Sequence, residues 1–133
     1  GLVACDAPVD TLATMHCKKT GALIEAAVQL GALTATRDPV VLQQLTGYAR
    51  PLGLAFQVVD DILDGRADTA TLGKLAGADR QKGKPTFLSA LGESSSRHYA
   101  QALGDEAIAA LDHAAFNSTL LIALARFTIE RSH

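Results

Sequence analysis

Asp60, Asp61 and Asp64 fall within the stretch GLAFQVVDDILDG, with no basic residue between them. At the helical repeat, Gln57, Asp60, Asp61 and Asp64 share one face, while Phe56, Val58, Val59, Ile62 and Leu63 cover the other. Like charges spaced i, i+4 repel by about 0.2–0.5 kcal/mol per pair. A helix ending at Gly65 would add about 0.3–1 kcal/mol per carboxylate, because the acids would sit at its negative dipole end. A solvated face is the ordinary reading of a charge run. This stripe is of one sign, however, and has no lysine or arginine a turn away to relieve it. A hard divalent cation would remove the repulsion, and Mg²⁺ typically uses one or two carboxylates together with substrate phosphates. The stripe therefore reads as half of a metal–phosphate site. Gly53, one turn before Gln57 on the polar face, leaves room for something to approach.

The matching positive charge is sought in MHCKKTGALIEAAVQLGA. Lys18 and Lys19 point about 100° apart on a helix, so they cannot share a role. Lys18 lies on the side of Glu25, a solvent face. Lys19 and Thr20, with His16, lie on the side of Leu23, Ala26, Ala27 and Leu30, which reads as a core-facing stripe. A lysine there must pair with an anion or carry its tip to water. Thr20 and Gly21 beside it offer a hydroxyl and close backbone approach, which suit a phosphate. Further along, Lys74 in LGK and Lys84 in GKPT each adjoin glycine, which exposes backbone N–H groups to an anion. A plain polar loop is the competing reading of that segment. No nucleotide-type phosphate loop is present, and the four histidines lack metal-ligand spacing. Ser94–Ser96 read as helix-start residues, and Cys17 as a packing residue.

The elements that must position these residues are helical throughout. A helix starts near Asp6 and Pro8, and an apolar-periodic segment runs from about Val9 to Leu33. Asp38 then caps a second long helix reaching about Asp64, with Pro51 inside it as a kink. Residues 65–84 carry no helical stripe and read as a long functional loop. Shorter helices follow from Pro85–Thr86 to Leu91, from about Ser94 to His113, and from Ser118 to Glu130 after an Asn117 cap. The expected fold is all-α, a bundle of antiparallel helices in one domain over residues 1–133.

Composition agrees. The 133 residues are 48% hydrophobic but only 5% aromatic, with net charge −2 and dispersed lysines, so no nucleic-acid footprint appears. No apolar run reaches the ~20 residues of a membrane span, and no leader pattern opens the chain. Two cysteines are too few for a disulfide framework, and a reduced, cytoplasmic compartment is the default.

Three ordered motifs, HCKKTG, GLAFQVVDDILD and TLGKLAGADRQKGKPTF, closely resemble the trans-isoprenyl diphosphate synthases (polyprenyl synthetase family), nearest to their bacterial farnesyl-type members. The resemblance covers about Thr11 to Arg131. It implies the isoprenoid synthase fold, with a central cavity between helices, and condensation of an allylic diphosphate with isopentenyl diphosphate. The product would be farnesyl diphosphate, or its geranyl or geranylgeranyl counterpart. Asp60, Asp61 and Asp64 match the second aspartate-rich motif and would hold Mg²⁺, with Asp60 and Asp64 leading and Asp61 supporting. Lys19 and Lys74 match lysines that contact the allylic diphosphate. Thr20, Gln57 and Lys84 match positions beside it. Catalytic roles would then fall to Lys19, Lys74, Asp60 and Asp61. The first aspartate-rich motif and the isopentenyl-binding cations have no counterpart here, so the chain resembles the C-terminal half of the enzyme. Phe87 stands where tyrosine is more usual. Two consequences are expected: inactivity without the N-terminal half, and exposed apolar faces at Leu23/Leu30 and Phe56/Leu63. The resemblance also implies a homodimer. A non-catalytic helical subunit that modulates a complete synthase is the alternative, and retention of the aspartates and Lys19 argues against it. A class I terpene cyclase would carry a mixed Asn/Ser/Glu second motif, which DDILD is not.

Overall fold

A central helix organises everything else. The computed structural model describes residues 7–72 and 85–133. The first helix, α1 (Ala7–His16), passes without a break through a π-helical turn (Cys17–Gly21) into α2 (Ala22–Leu33). Then come α3 (Pro39–Leu72), α4 (Phe87–Leu91), α5 (Glu93–Ala109) and α6 (Thr119–Glu130). The fold is all-α, as the sequence pattern requires, and no described helix is long and apolar enough to cross a membrane.

Local chemistry explains most helix ends. Asp38 Oδ1 accepts the Val40 amide at 2.9 Å and starts α3. Thr86 and Ser89 form a reciprocal capping box on α4, with the Ser89 amide donating to Thr86 Oγ1 at 3.0 Å. The Asn117 side chain accepts the Thr119 amide at 3.0 Å, one residue before the helix boundary at Ser118. Gly92, at φ 79°, makes the sharp turn between α4 and α5 that a side chain would strain. Ser96, fully buried, donates to the Phe87 carbonyl at 3.1 Å and ties α5 to the start of α4. Asp6 lies outside the described residues.

The end of α3 departs from expectation. The helix does not stop at Gly65 but continues two turns to Leu72. Gly65 is a packing residue, since a Cβ there would lie 2.0 Å from Leu88 Cδ2 of α4. Beyond it, Thr69 Oγ1 donates to the Gly65 carbonyl at 2.9 Å and Arg66 pairs with Glu93 of α5. The aspartates therefore lie within the helix rather than at its dipole end, and that part of their expected cost disappears. The expected loop over 65–84 is helical as far as residue 72, and its remainder is outside the described residues.

Two apolar clusters lie along α3. One gathers Leu12, Leu54, Val58, Ile62, Phe87 and Leu103, and the other Leu45, Tyr48, Leu52, Ala107 and Ala125. Tyr48 satisfies its buried hydroxyl by donating to the Leu121 carbonyl at 2.8 Å, and burial pushes its pKa up to about 12. Pro51 sits inside α3, where it supplies no amide to the carbonyl a turn earlier.

Candidate functional site

The π-turn is where sequence periodicity and structure part company. A turn of this kind holds one more residue than an α-turn, so residues before it rotate relative to those after it. His16 consequently faces inward, with its ring centroid 5.5 Å from that of Phe87. The stripe on which His16, Lys19 and Thr20 were expected to lie faces outward instead. Leu23 is 70% exposed and Leu30 67% exposed, and α2 contains no buried residue. The core-facing reading of that stripe is therefore corrected. Its exposure agrees with the expectation that the Leu23/Leu30 face lacks its cover, whereas Phe56 and Leu63 are half-buried. Lys19 is exposed and Thr20 half-buried on the π-turn itself.

Close backbone approach fixes the π-turn against α3. A Cβ on Gly53 would lie 3.2 Å from Gly21 Cα, and both glycines are buried. The room at Gly53 is thus filled by Gly21, not by a ligand. This crossing lays the Lys19–Thr20 segment against α3 one turn before Gln57. Lys18, on the far side, is exposed and shares with Glu25, Arg50 and Glu106 the wall of a cavity of about 380 Å³ floored by Leu54 and Leu103. The Arg50 guanidinium grips Glu25 through Nε at 2.9 Å and Nη2 at 3.1 Å. Cys17 also lines this cavity, and burial pushes its thiol pKa up, so it behaves as a packing residue. The aspartate stripe does not line it.

On α3 the apolar half behaves as expected, with Val58, Val59 and Ile62 fully buried. The three carboxylates meet three different environments. Asp61 Oδ2 accepts the Phe87 amide at 3.0 Å, which caps α4 from another helix. Burial raises its pKa, an effect opposed by the Phe87 amide and His16 and reinforced by Asp64 and Asp60. Asp60 pairs with Arg131 Nη2, and the same nitrogen donates to the Phe56 carbonyl at 3.2 Å. The guanidinium carbon lies 4.4 Å over the Phe56 ring, and Arg131 Nε is buried without a partner. Asp64 is exposed, and Gln57 half-buried. Lys74 and Lys84 lie outside the described residues.

Among the described residues no three or more His, Cys, Asp or Glu side chains converge tightly enough to cage a metal ion. The donor set nevertheless fits Mg²⁺. Asp60 and Asp64 are hard oxygen ligands one turn apart on one face, and such a cation needs only one or two protein carboxylates when phosphate supplies the rest. Asp61, spent on the Phe87 amide, fits the supporting role. Arg131 and the Phe87 amide are the two partners that sequence spacing does not reveal. They lie 71 and 26 residues from the aspartates they hold.

Comparison with known proteins assigns the family. The polyprenyl synthetase family model matches residues 4–115. Farnesyl diphosphate synthase of Escherichia coli (strain K12) is 48% identical over 94% of this chain and 43% of its own length. Farnesyl diphosphate synthase of Haemophilus influenzae is 43% identical over 90% of this chain and 41% of its own. Geranylgeranyl pyrophosphate synthase 11, chloroplastic, of Arabidopsis thaliana is 44% identical over 80% of this chain and 30% of its own. The chain spans less than half the length of these curated relatives. Its match to the family model over most of its length, with two ordered motifs carried on the π-turn and α3, places it plainly: the chain belongs to the polyprenyl synthetase family.

Proposed function

We propose that this chain is the C-terminal portion of an isoprenyl diphosphate synthase, carrying the diphosphate-ionising side of a prenyl-transfer site. The observation that carries the reading is the crossing of the π-turn over Gly53, which packs the turn that bears Lys19 and Thr20 on the helix that bears Gln57, Asp60 and Asp64. In the reaction, the C–O bond of an allylic diphosphate breaks, a C–C bond forms to isopentenyl diphosphate, and a proton is lost. Lys19, on a turn clamped between glycines, presents a fixed positive charge to the departing diphosphate. The Thr20 hydroxyl and Gln57 carboxamide supply neutral polar contacts beside it, and Lys74 and Lys84 supply further positive charge. Asp60 and Asp64 would hold Mg²⁺, with Asp61 bracing the helix through Phe87. When bound, Mg²⁺ would neutralise charge that develops on the leaving group. Apolar walls of the cavity between the two halves would keep water away from the cationic carbon. The reading extends to a homodimeric, cytoplasmic enzyme of farnesyl, geranyl or geranylgeranyl diphosphate synthesis.

One half of the fold cannot clamp diphosphate from two sides, so the other half is required. The test is a chimera in which this chain replaces the matching stretch of the Escherichia coli relative. With isopentenyl and dimethylallyl diphosphates and Mg²⁺, the chimera should turn over, and the 133-residue chain alone should not. Asp60→Asn or Lys19→Met in the chimera should lower kcat by about 10²–10³, the scale of one lost electrostatic contact to a developing charge. Turnover by the chain alone, or a chimera indifferent to both substitutions, overturns the reading. The exposed Leu23/Leu30 face also suits a modulatory helical subunit. That reading gains if the chimera is inactive while the free chain changes the rate of a complete synthase.

A further inference from the structure

Arg131 is placed where a divalent cation would compete with it. Its side chain is only 13% exposed, its terminal nitrogen is paired with Asp60, and its plane rests on Phe56. Arg131 is the residue that ends α6, and its amide donates to the Phe127 carbonyl at 3.0 Å. Its Nε, buried and unpartnered, leaves the docked guanidinium incompletely satisfied. Asp60 therefore already has a positive partner, and that partner is not bound at full strength.

We propose that Arg131 is a built-in counter-ion for Asp60, a latch that neutralises the aspartate stripe before a cation arrives and that the cation displaces. The proposal rests on the reading of Asp60 as a cation ligand. Without Arg131, Asp60 would meet the repulsion of its neighbouring carboxylates without its ion-pair partner. With a divalent ion on Asp60, the guanidinium would face a second, larger positive charge at contact range in a partly desolvated setting, where like charges are strongly disfavoured. Arg131 takes only Oδ1 of Asp60, so charge repulsion between guanidinium and cation, rather than a shortage of acceptor sites, drives the displacement. Cation binding then frees the segment after α6 and uncovers Phe56, so occupancy of the site is coupled to the order of that segment.

The experiment titrates Mn²⁺ against the 133-residue chain by the paramagnetic resonance of the free ion, for wild type, Arg131→Met, Arg131→Lys and Asp60→Asn. Circular dichroism checks that each variant is folded. Arg131→Met keeps the aliphatic stem over Phe56 and removes the charge. It should bind Mn²⁺ about tenfold more tightly than wild type, the scale of one hydrogen bond between charged groups. Arg131→Lys should fall between the two. In wild type, saturating Mg²⁺ should raise hydrogen exchange of the Arg131 amide by roughly tenfold as its local structure opens. Weaker or unchanged Mn²⁺ binding in Arg131→Met, with binding still lost in Asp60→Asn, overturns the latch and leaves Asp60 a ligand. Mn²⁺ binding indifferent to Asp60→Asn overturns the ligand reading and the latch with it. If Arg131→Met fails to fold, the exchange measurement on wild type decides, since an unaltered Arg131 amide overturns the latch.

Discussion

Helices α2 and α3 are both rich in apolar residues, yet they live in opposite surroundings. From Leu45 to Ile62, α3 buries side chains on almost every turn and on most of its circumference, whereas α2 has no buried residue and holds Leu23 and Leu30 largely in solvent. Apolar composition therefore does not decide burial; the presence of a neighbour does. Helix α3 is covered by helices drawn from both sides of it in the chain, while the outer face of α2 has nothing against it among the described residues. That contrast separates a helix enclosed by its neighbours from one whose outer apolar face is open.

Deleting equivalent carbon from each helix should expose the difference most strongly. Ile62 is fully buried on α3, so Ile62→Ala should cost about 2–5 kcal/mol, the range for large-to-small changes in a packed core. Leu23→Ala should change stability by no more than about 0.5 kcal/mol, because the removed methyls already contact water. Denaturant unfolding of the two variants measures both. A large cost for Leu23→Ala would mean that the α2 face is covered in solution, by a second copy of the chain or by itself rearranged.

Where the two helices meet, the contrast sharpens into a question of backbone distance. The Gly53–Gly21 contact allows no side chain to intervene, and a Cβ alone at residue 53 would lie 3.2 Å from a backbone atom that cannot rotate away. Gly53→Val should therefore cost about 1–3 kcal/mol by overpacking. It should also move the π-turn, and with it Lys19, away from Gln57. Thermal unfolding gives the first quantity, and in the active chimera the change in KM for the allylic diphosphate gives the second. An unchanged Tm would show that the π-turn yields freely, which would weaken the claim that the crossing positions the diphosphate site.

These cases show how much was legible beforehand. Helix starts at Asp38, Thr86 and Asn117 were readable, because a cap is a local bargain between a side chain and an amide two or three residues on. The buried half of α3 was readable from its period. Gly65 was misread because the same residue that ends helices also admits close neighbours, and only Leu88, 23 positions on, decides which. The π-turn was invisible because a single extra residue leaves composition unchanged while rotating His16 from the outer stripe to the ring of Phe87. The aspartates were found by spacing, and the expected division among them came with the family resemblance, but its physical basis was not legible. That division depends on an amide and a guanidinium brought in from α4 and the end of α6.

The smallest expected effect tests that division. Asp61 has a raised pKa in the folded chain, chiefly through burial. Over the window from the ordinary aspartate value of about 3.9 up to its raised value, the folded state binds more protons than the unfolded state. Stability contributed by this group is then highest below that window and falls as pH rises through it. Asp60, tied to Arg131, is untouched by a change at residue 61 that keeps the helix intact, so a difference between variant and wild type isolates Asp61. Asp61→Asn retains an oxygen to accept the Phe87 amide and removes both the desolvated charge and its repulsion with Asp60 and Asp64. It should gain about 0.5 kcal/mol at pH 7, after allowance for solvent screening, and the gain should vanish below pH ~4. Asp61→Ala removes the acceptor as well and should lose about 1–3 kcal/mol at either pH, because the Phe87 amide is left without its partner. If Asn and Ala behave alike, the hydrogen bond to α4 contributes nothing and Asp61 belongs with Asp64 on the open face. If they diverge as expected, the middle aspartate is the structural member of the three, through the Phe87 amide that it accepts.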